Sequence, residues 1–199
     1  MERDGFRLQT SPCEISGAVK TGISEAGGVP FEFSTVALCD GLLQGHEGMK
    51  YSLPSRDLIA DSVELVVEAN RFDGMVLIAS CDKIVPAMLM ASARLNIPSI
   101  FVTGGAMEPG RYRNENLTLS DLRIFIGSFL KGEISRDELE EIGKATCPSV
   151  GSCSMMGTAN TMSIVAESLG MTLERCSTIL AVDKEKLIIA KRSGRAVMK

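Results

Sequence analysis

The sequence has no tryptophan, a single histidine and only 5% aromatic residues among its 199 positions. No apolar run reaches membrane-spanning length, because Gly, Ser, Pro or charged residues interrupt each one. The net charge of −4 provides no basic surface for nucleic acid or an anionic membrane. The first residues contain no apolar signal core, so we expect a cytoplasmic location. These absences indicate neither nucleic acid nor a membrane as a partner.

Several familiar binding patterns are also missing. There is no Gly-x-Gly-x-x-Gly or Walker motif and no pair of cysteines at zinc-type spacing. Six cysteines in a chain of this size and character indicate reduced thiols or metal ligands, and not a disulfide framework. With 45% apolar and 23% charged residues, the composition is typical of a globular protein, and the length predicts one domain over 1–199.

The central feature is the stretch from Gly74 to Leu95. An unbroken apolar run at 75–79 predicts a buried strand, and apolar residues at helical spacing after Pro86 predict a helix. A second apolar run at 99–103 completes a strand–helix–strand unit, which indicates an α/β fold with parallel strands. We further predict helices at 15–26, 57–70, 120–130, 135–145, 156–169 and 183–197, a strand at 31–38, a possible short strand at 179–182, and loops at 45–48 and 51–56.

Cys81, Asp82 and Lys83 follow the first predicted strand, at the end of a sheet where α/β proteins bind ligands. Cys13 and Cys153 likewise precede predicted helices, whose N-termini lower the pKa of thiols. Any single cysteine is nevertheless more often a small apolar residue, and Cys39 and Cys176 are interpreted that way.

Asp40 and Asp82 have two interpretations: each caps a helix or turn, or both hold Mg²⁺ through oxygen ligands. Lys83 is most simply the ion-pair partner of Asp82, because a cationic lysine cannot bind a metal unless its charge is removed. His46, in a glycine-bounded loop, is interpreted as a solvated or substrate-facing residue.

Together these motifs resemble the dihydroxy-acid dehydratase/phosphogluconate dehydratase family, over nearly the whole chain from about Cys13. The resemblance implies an open, mainly parallel sheet with helices on both faces. The motifs that carry it are Asp40-Gly41, Gly45 to Arg56, Ile59 to Ser62, Cys81-Asp82-Lys83, Met88 to Pro98, Gly104-Gly105, Gly151 to Cys153 and Thr158 to Asn160.

The resemblance implies an iron–sulfur cluster, either 2Fe–2S or 4Fe–4S, held by Cys13, Cys81 and Cys153. It also implies Mg²⁺ held by Asp40, Asp82 and a Lys83 that carries a CO₂-derived carbamate, an anionic oxygen ligand. The family's reaction dehydrates a 2,3-dihydroxy acid to a 2-keto acid, with iron acting as a Lewis acid on the leaving hydroxyl.

Members of the family carry a C-terminal β-rich domain that supplies a further Mg²⁺ ligand and a serine base, and this sequence does not contain it. We therefore expect no catalytic base in the chain, no activity in isolation, and assembly as a homodimer or with a complementary C-terminal chain. The motifs leave open a branched-chain dihydroxy acid, in amino-acid biosynthesis, or a sugar acid as substrate. A different class of function, a non-catalytic module that binds a cluster or a partner, also stays open.

Overall fold

The computed structural model describes residues 12–199 of the chain. Helices dominate it, and a 3-10 helix, Glu47–Tyr51, leads directly into the longest of them. The α-helices are α1 Pro12–Glu25, α2 Asp40–Leu43, α3 Ser52–Asn70, α4 Ile84–Leu95, α5 Leu119–Leu130, α6 Arg136–Thr146, α7 Thr158–Ser168 and α8 Glu185–Ala196.

The predicted strand–helix–strand unit is present. Strands β1 (Met75–Ala79) and β2 (Ser99–Thr103) pair in parallel, with Met75 opposite Ser99, and α4 makes the crossover between them. Parallel bridges from Phe101 to Thr172, and from Ala106 to both Ser152 and Leu180, extend this pair by single contacts. The mixed α/β class is therefore confirmed, with a small parallel sheet at its centre.

Alternating residues of β1 belong to two different apolar clusters. Met75, Leu77 and Ala79 pack with α3 and α4, whereas Val76 and Ile78 pack against a cluster formed with α1 and α8. Successive side chains of a strand point to opposite faces, so the two clusters lie on opposite sides of the parallel pair. This arrangement fixes the carboxyl end of β1 between two packed layers.

Helices α1 and α8 touch through glycines. A Cβ atom on Gly194 would lie 2.2 Å from the carbonyl oxygen of Val19, and one on Gly22 would lie 2.0 Å from that of Lys191. No side chain fits at these distances, so the backbones of the two helices approach each other only because both positions are glycine.

The strand predicted at 31–38 is wrong, since the structure has irregular backbone there. Two of its apolar residues contact the rest of the protein: the rings of Phe31 and Phe33 stack on that of Phe72, with centroids 5.7 and 6.4 Å apart. Phe31 and Phe33 nevertheless remain 73% and 41% exposed. Within residues 12–199 no strand pairs with this segment, and an alternating apolar pattern alone does not form a ladder.

The loop predicted at 51–56 is also wrong, because Tyr51 ends the 3-10 helix and α3 begins at Ser52. Pro54 is the third residue of α3 and lies in its first turn. The N–H groups of a first turn have no acceptor within the helix, so proline's missing N–H costs no hydrogen bond there. The possible strand at 179–182 is reduced to the single bridge at Leu180.

A hairpin was not predicted where β3 (Gly110–Tyr112) and β4 (Glu115–Leu117) pair in an antiparallel manner. Its turn residues, Arg113 and Asn114, both have positive φ values, which suits a two-residue hairpin. Among residues 12–199, no helix combines the length and the apolar character needed to cross a bilayer.

Candidate functional site

The turn between β1 and α4 carries Cys81, Asp82 and Lys83. The carbonyl of Cys81 accepts hydrogen bonds from the N–H groups of Ile84 and Val85, both at 3.2 Å, and these bonds close the turn into the helix. The three polar side chains consequently sit at the carboxyl end of a central strand, as the sequence predicts. Asp40, at the start of α2, lies against the same turn.

Asp40 is buried, with 7% of its surface exposed, and it accepts two polar contacts. The Lys83 ammonium donates to Oδ2 at 2.6 Å, and the buried Ser52 hydroxyl donates to Oδ1. Burial alone would raise the pKa of Asp40, but the bonds from Lys83 and Ser52 outweigh it and hold the pKa below its ordinary value. Asp40 is therefore a carboxylate prepared for a cation, and Lys83 is its partner, not that of Asp82.

Asp82 has a different environment although it touches Asp40. Burial and then the negative charge of Asp40 raise the pKa of Asp82. The backbone N–H of Ala159, in the first turn of α7, donates to its carboxylate and partly opposes this change. Two carboxylates in contact repel each other unless a proton or a metal cation lies between them.

Two thiols lie beside the carboxylates. Cys39, immediately before Asp40, interacts with Cys81. This interaction, together with the backbone N–H groups of Leu42 and Gly41, lowers the pKa of Cys39 to about 6 against the opposing effect of burial. The same contact and burial raise the pKa of Cys81. Sequence reasoning missed Cys39, and its position next to Asp40 was the signal that could have identified it.

Cys153 shares this electrostatic environment. Burial raises its pKa first, and negative charge at Cys39 and Asp82 raises it further. The loop that carries it is held by Asn160, whose side-chain amide donates to the carbonyls of Cys153 and Met155, both at 2.7 Å. Cys153 is thus positioned from α7, five residues before that helix begins.

Cys13 lies at the start of α1. It is the second residue of α1, its side chain is exposed, and no hydrogen bond or ion pair among the described residues involves it. Within residues 12–199, no three His, Cys, Asp or Glu side chains already stand close enough to hold one metal ion. The structure therefore brings Cys81, Asp40, Asp82 and Lys83 together and places Cys153 within their electrostatic influence. Among the described residues it shows no hydrogen bond or ion pair between Cys13 and any of them.

His46 is used locally. Its Nδ1 accepts the N–H of Gly48 at 3.0 Å, which caps the 3-10 helix, and its Nε2 lies 3.0 Å from the carbonyl of Leu42. These bonds fix the loop between α2 and α3, close to Asp40, and they give the imidazole a structural role.

A cleft of about 1290 Å³ opens beside Cys39 and Cys81. One wall is the irregular segment 28–39 and the other is β1, and Cys39, Cys81 and Ser152 line the end nearest the carboxylates. The cleft gives a small molecule access to Cys39 and Cys81, whereas Asp40 and Asp82 are not among the residues that line it.

The residues fit a magnesium ion in their chemistry. Asp40 and Asp82 supply oxygen ligands of the kind Mg²⁺ prefers, and their mutual contact is the arrangement that a divalent cation relieves. Cys81 and Cys153 supply thiols of the kind that hold an iron–sulfur cluster, and both are partly exposed. Cys13 supplies a third thiol, which is exposed.

Comparison with known proteins gives one consistent result. The family described as "Dihydroxy-acid/6-phosphogluconate dehydratase N-terminal" matches residues 9–199. A dihydroxy-acid dehydratase of Methanoregula boonei is 51% identical over 185 residues, and one of Dehalococcoides mccartyi is 53% identical over 189 residues. One from Pyrococcus abyssi is 51% identical over 185 residues. Each alignment covers 93% of this chain but 34% of the relative, so the chain spans about a third of their length.

Proposed function

The chain belongs to the dihydroxy-acid/6-phosphogluconate dehydratase N-terminal family, and from this premise we propose that it is the metal-binding portion of a hydro-lyase. The reaction is the dehydration of a 2,3-dihydroxy acid to a 2-keto acid. The observation that carries the proposal is the contact between Asp40 and Asp82, with Lys83 and Cys81 at the same turn.

We assign Asp40, Asp82 and Lys83 to Mg²⁺. Ser52 holds Asp40 through one carboxylate oxygen, and Ala159 holds Asp82 through its backbone N–H, so both ligands are oriented before a cation arrives. In its ammonium form Lys83 neutralises Asp40. As a carbamate it becomes a third anionic oxygen ligand, and Asp40 is then released to the metal.

We assign Cys81 and Cys153, with Cys13, to an iron–sulfur cluster. When bound, the cluster supplies a Lewis-acidic iron for the C3 hydroxyl, a poor leaving group, while Mg²⁺ supplies charge for the carboxylate and the C2 oxygen. The protein's own part is positional. The turn after β1 places a thiol and a carboxylate next to each other in sequence, so the two metal sites lie side by side.

We find no base for the C2 proton among the residues of this site and assign none to this chain. The relatives are about three times longer, and we propose that the remainder of such a chain provides the base and a further Mg²⁺ ligand. The partner is either a C-terminal portion supplied separately or a second copy of this chain. Val29 and Phe31, exposed at 78% and 73%, offer apolar surface for such a contact.

A reconstitution experiment tests this function. The chain is combined, without oxygen, with the C-terminal two thirds of the Methanoregula boonei relative, together with Mg²⁺, iron and sulfide. Keto-acid formation is then measured from a branched-chain dihydroxy acid and from 6-phosphogluconate. We expect the branched-chain acid to be the better substrate and Asp82→Asn to lower the rate at least about a hundredfold.

Asp137→Asn, an exposed position on α6, serves as the matched control and is expected to leave the rate unchanged. Preference for the sugar acid would move the substrate to the alternative branch of the family. No product from either acid, while the intact relative is active in the same assay, would contradict a catalytic role and favour a cluster-binding or partner-binding module.

A further inference from the structure

The parallel pair of β1 and β2 leaves one edge of β1 open. Met75 donates its N–H to the carbonyl of Pro98, so the odd-numbered residues of β1 bond to β2. In a parallel ladder, alternate residues direct their N–H and C=O groups to opposite sides. Val76 and Ile78 therefore turn theirs to the other edge, where no backbone hydrogen bond or bridge from residues 12–199 meets them. An unpaired strand edge is a place where a further strand adds.

The segment 31–38 runs beside this open edge, and contacts at its two ends give its direction. Near its start, Phe31 stacks on Phe72, which lies shortly before β1. Just after its end, Asp40 is paired with Lys83, which lies shortly after β1. The partners are 41 residues apart in the chain at one end and 43 at the other. The segment therefore runs parallel to β1 at a nearly constant offset.

Contacts at its two faces place the segment in the plane of the sheet. Lys20 of α1 bonds to Glu32 at 2.6 Å, and Ser62 of α3 bonds to Thr35 at 2.7 Å. Helices α1 and α3 belong to the two apolar clusters on opposite sides of β1. Residue 32 thus faces one layer and residue 35 the other, which is the alternation of side chains in a strand.

We propose that residues 33–37 close onto β1 as a third parallel strand, and that the structure described here is the open form. Opposite residues of parallel strands share a face, so Thr35, which faces α3, lies opposite an odd-numbered residue of β1. The offsets at the two ends select Leu77. In this register Thr35 donates its N–H to the carbonyl of Val76 and accepts the N–H of Ile78.

Closure uses the cleft that separates the two elements. Its walls are the segment 28–39 and β1, so a strand that moves onto the open edge takes up this space. In the same register the N–H of Ala37 bonds to the carbonyl of Ile78. The opening that leads to Cys39 and Cys81 is then covered. The segment is thus a strap whose position sets the access of small molecules to these two thiols.

Amide hydrogen exchange of the complete metal-free chain, followed by NMR, tests the pairing. Leu77 bonds to β2 in both forms, so its N–H is the internal reference. We expect the N–H groups of Val76 and Ile78 to exchange within about tenfold of the rate of Leu77. Nuclear Overhauser effects should join backbone protons of 33–37 to those of β1. Exchange of both N–H groups at the rate of an unpaired peptide, without these effects, would overturn the proposal.

Two proline variants test the register. Ala37→Pro removes the N–H that bonds to Ile78, whereas the N–H of Ser34 points away from β1, so Ser34→Pro is the matched control. We expect Ala37→Pro to speed the exchange of Val76 and Ile78 at least about tenfold, and Ser34→Pro to leave it unchanged. Far-UV circular dichroism verifies that both variants are folded, and the Overhauser effects of the wild type need no variant. Equal effects of the two prolines would overturn the register.

Alkylation tests the effect of the strap on access. Cys39 lines the cleft, is partly exposed in the open form, and is the one cysteine of the tryptic peptide 21–50. Iodoacetamide should modify it at least about fivefold faster in Ala37→Pro than in the wild type or Ser34→Pro. Equal rates in all three proteins would overturn the role of the segment as a cover. The pairing involves backbone groups and needs no metal, so these results are independent of the proposed function.

Discussion

The Lys83 ammonium lies 2.6 Å from a carboxylate oxygen of Asp40, and this ion pair joins the turn after β1 to the start of α2. Its side chains are largely removed from water, with 21% and 9% of their surfaces exposed. Ser52 fixes the other oxygen of Asp40, so the acceptor cannot turn away. The pair occupies the place that a metal cation takes over in our account, and its chemistry leads to the first prediction.

Carbamate formation at Lys83 predicts that Mg²⁺ binding depends on bicarbonate. With a Mg²⁺ concentration one hundred times the dissociation constant, the free energy of unfolding should rise by about 2.7 kcal/mol. We expect this stabilisation to weaken without bicarbonate, and we expect its dependence on bicarbonate to vanish in Lys83→Gln. Thermal unfolding followed by circular dichroism measures it. Lys50→Gln, at an exposed lysine, is the control, and an equal bicarbonate effect in all three proteins would contradict the prediction.

Asp82→Asn should stabilise the metal-free chain at pH 7. The pKa of Asp82 is raised above its ordinary value of 3.8 by burial and then by Asp40, so its ionised form destabilises the folded state. Wild-type protein should regain stability as the pH falls through the folded pKa, because the folded state then binds the proton more tightly than the unfolded state. The advantage of the variant consequently shrinks toward pH 4.

Urea unfolding with a chelator present, from pH 7 to pH 4, measures this difference between wild type and Asp82→Asn. Saturating Mg²⁺ should reverse the order, since only the wild-type carboxylate binds the cation. A metal-free variant that is less stable than wild type at pH 7 would show that the hydrogen bond from Ala159 outweighs the repulsion.

Gly194→Ala should lower the free energy of unfolding by about 2 kcal/mol or more, because its Cβ would collide with the Val19 carbonyl and push α1 away from α8. Gly143→Ala is the matched control. It also lies inside a helix, α6, but its Cβ would meet nothing within 4 Å. Here alanine should stabilise by about 0.5–1 kcal/mol through helix propensity. Chemical denaturation of the two variants tests the contact, and equal effects would exclude it.

We expect the contribution of Glu167 to the free energy of unfolding to be lost in acid. Burial would raise its pKa, but bonds from the Ser177 hydroxyl, the Ser177 N–H and the Arg175 N–H outweigh burial and lower it. Its contribution is therefore present above the unfolded pKa and is lost as the pH falls through the folded pKa.

Glu167→Gln should cost about 1 kcal/mol at pH 7, with a smaller difference from wild type at low pH. Glu174→Gln, at an exposed position in the following loop, should cost far less. Unfolding free energies measured at both ends of the pH range supply the comparison. A difference that does not change with pH would show that the charge of Glu167 is not responsible.

The parts of the fold that depend on local pattern were predictable from the sequence. Apolar runs at β1 and β2, and helical spacing between them, indicate the crossover without knowledge of any distant residue. The helix predicted from residue 135 is also present, and Ser135 caps it by accepting the N–H of Glu138. The strand prediction for 31–38 fails because a strand also needs a partner strand. The alternation of apolar residues within the segment carries no information about such a partner.

For the site too, local features were predictable from the sequence and long-range contacts were not. Cys81, Asp82 and Lys83 are found from their place after a strand, but the ion pair of Lys83 with Asp40 joins residues far apart in the chain. The interaction of Cys39 with Cys81 likewise joins residues far apart in the chain. Such contacts depend on tertiary packing, so residue type and spacing could not reveal them. The ligand roles of Cys13, Cys81 and Cys153 stay predictions.

Iron content and visible absorption test the central claim, that distant thiols and a pair of carboxylates form one bimetallic site. The chain is purified without oxygen, reconstituted with iron and sulfide, and freed of excess reagent. Our account predicts a broad visible absorption and bound iron in the wild type and in Cys147→Ser, and neither in the triple variant Cys13→Ser, Cys81→Ser, Cys153→Ser. A colourless wild-type chain, or a triple variant that binds as much iron as the wild type, would contradict it.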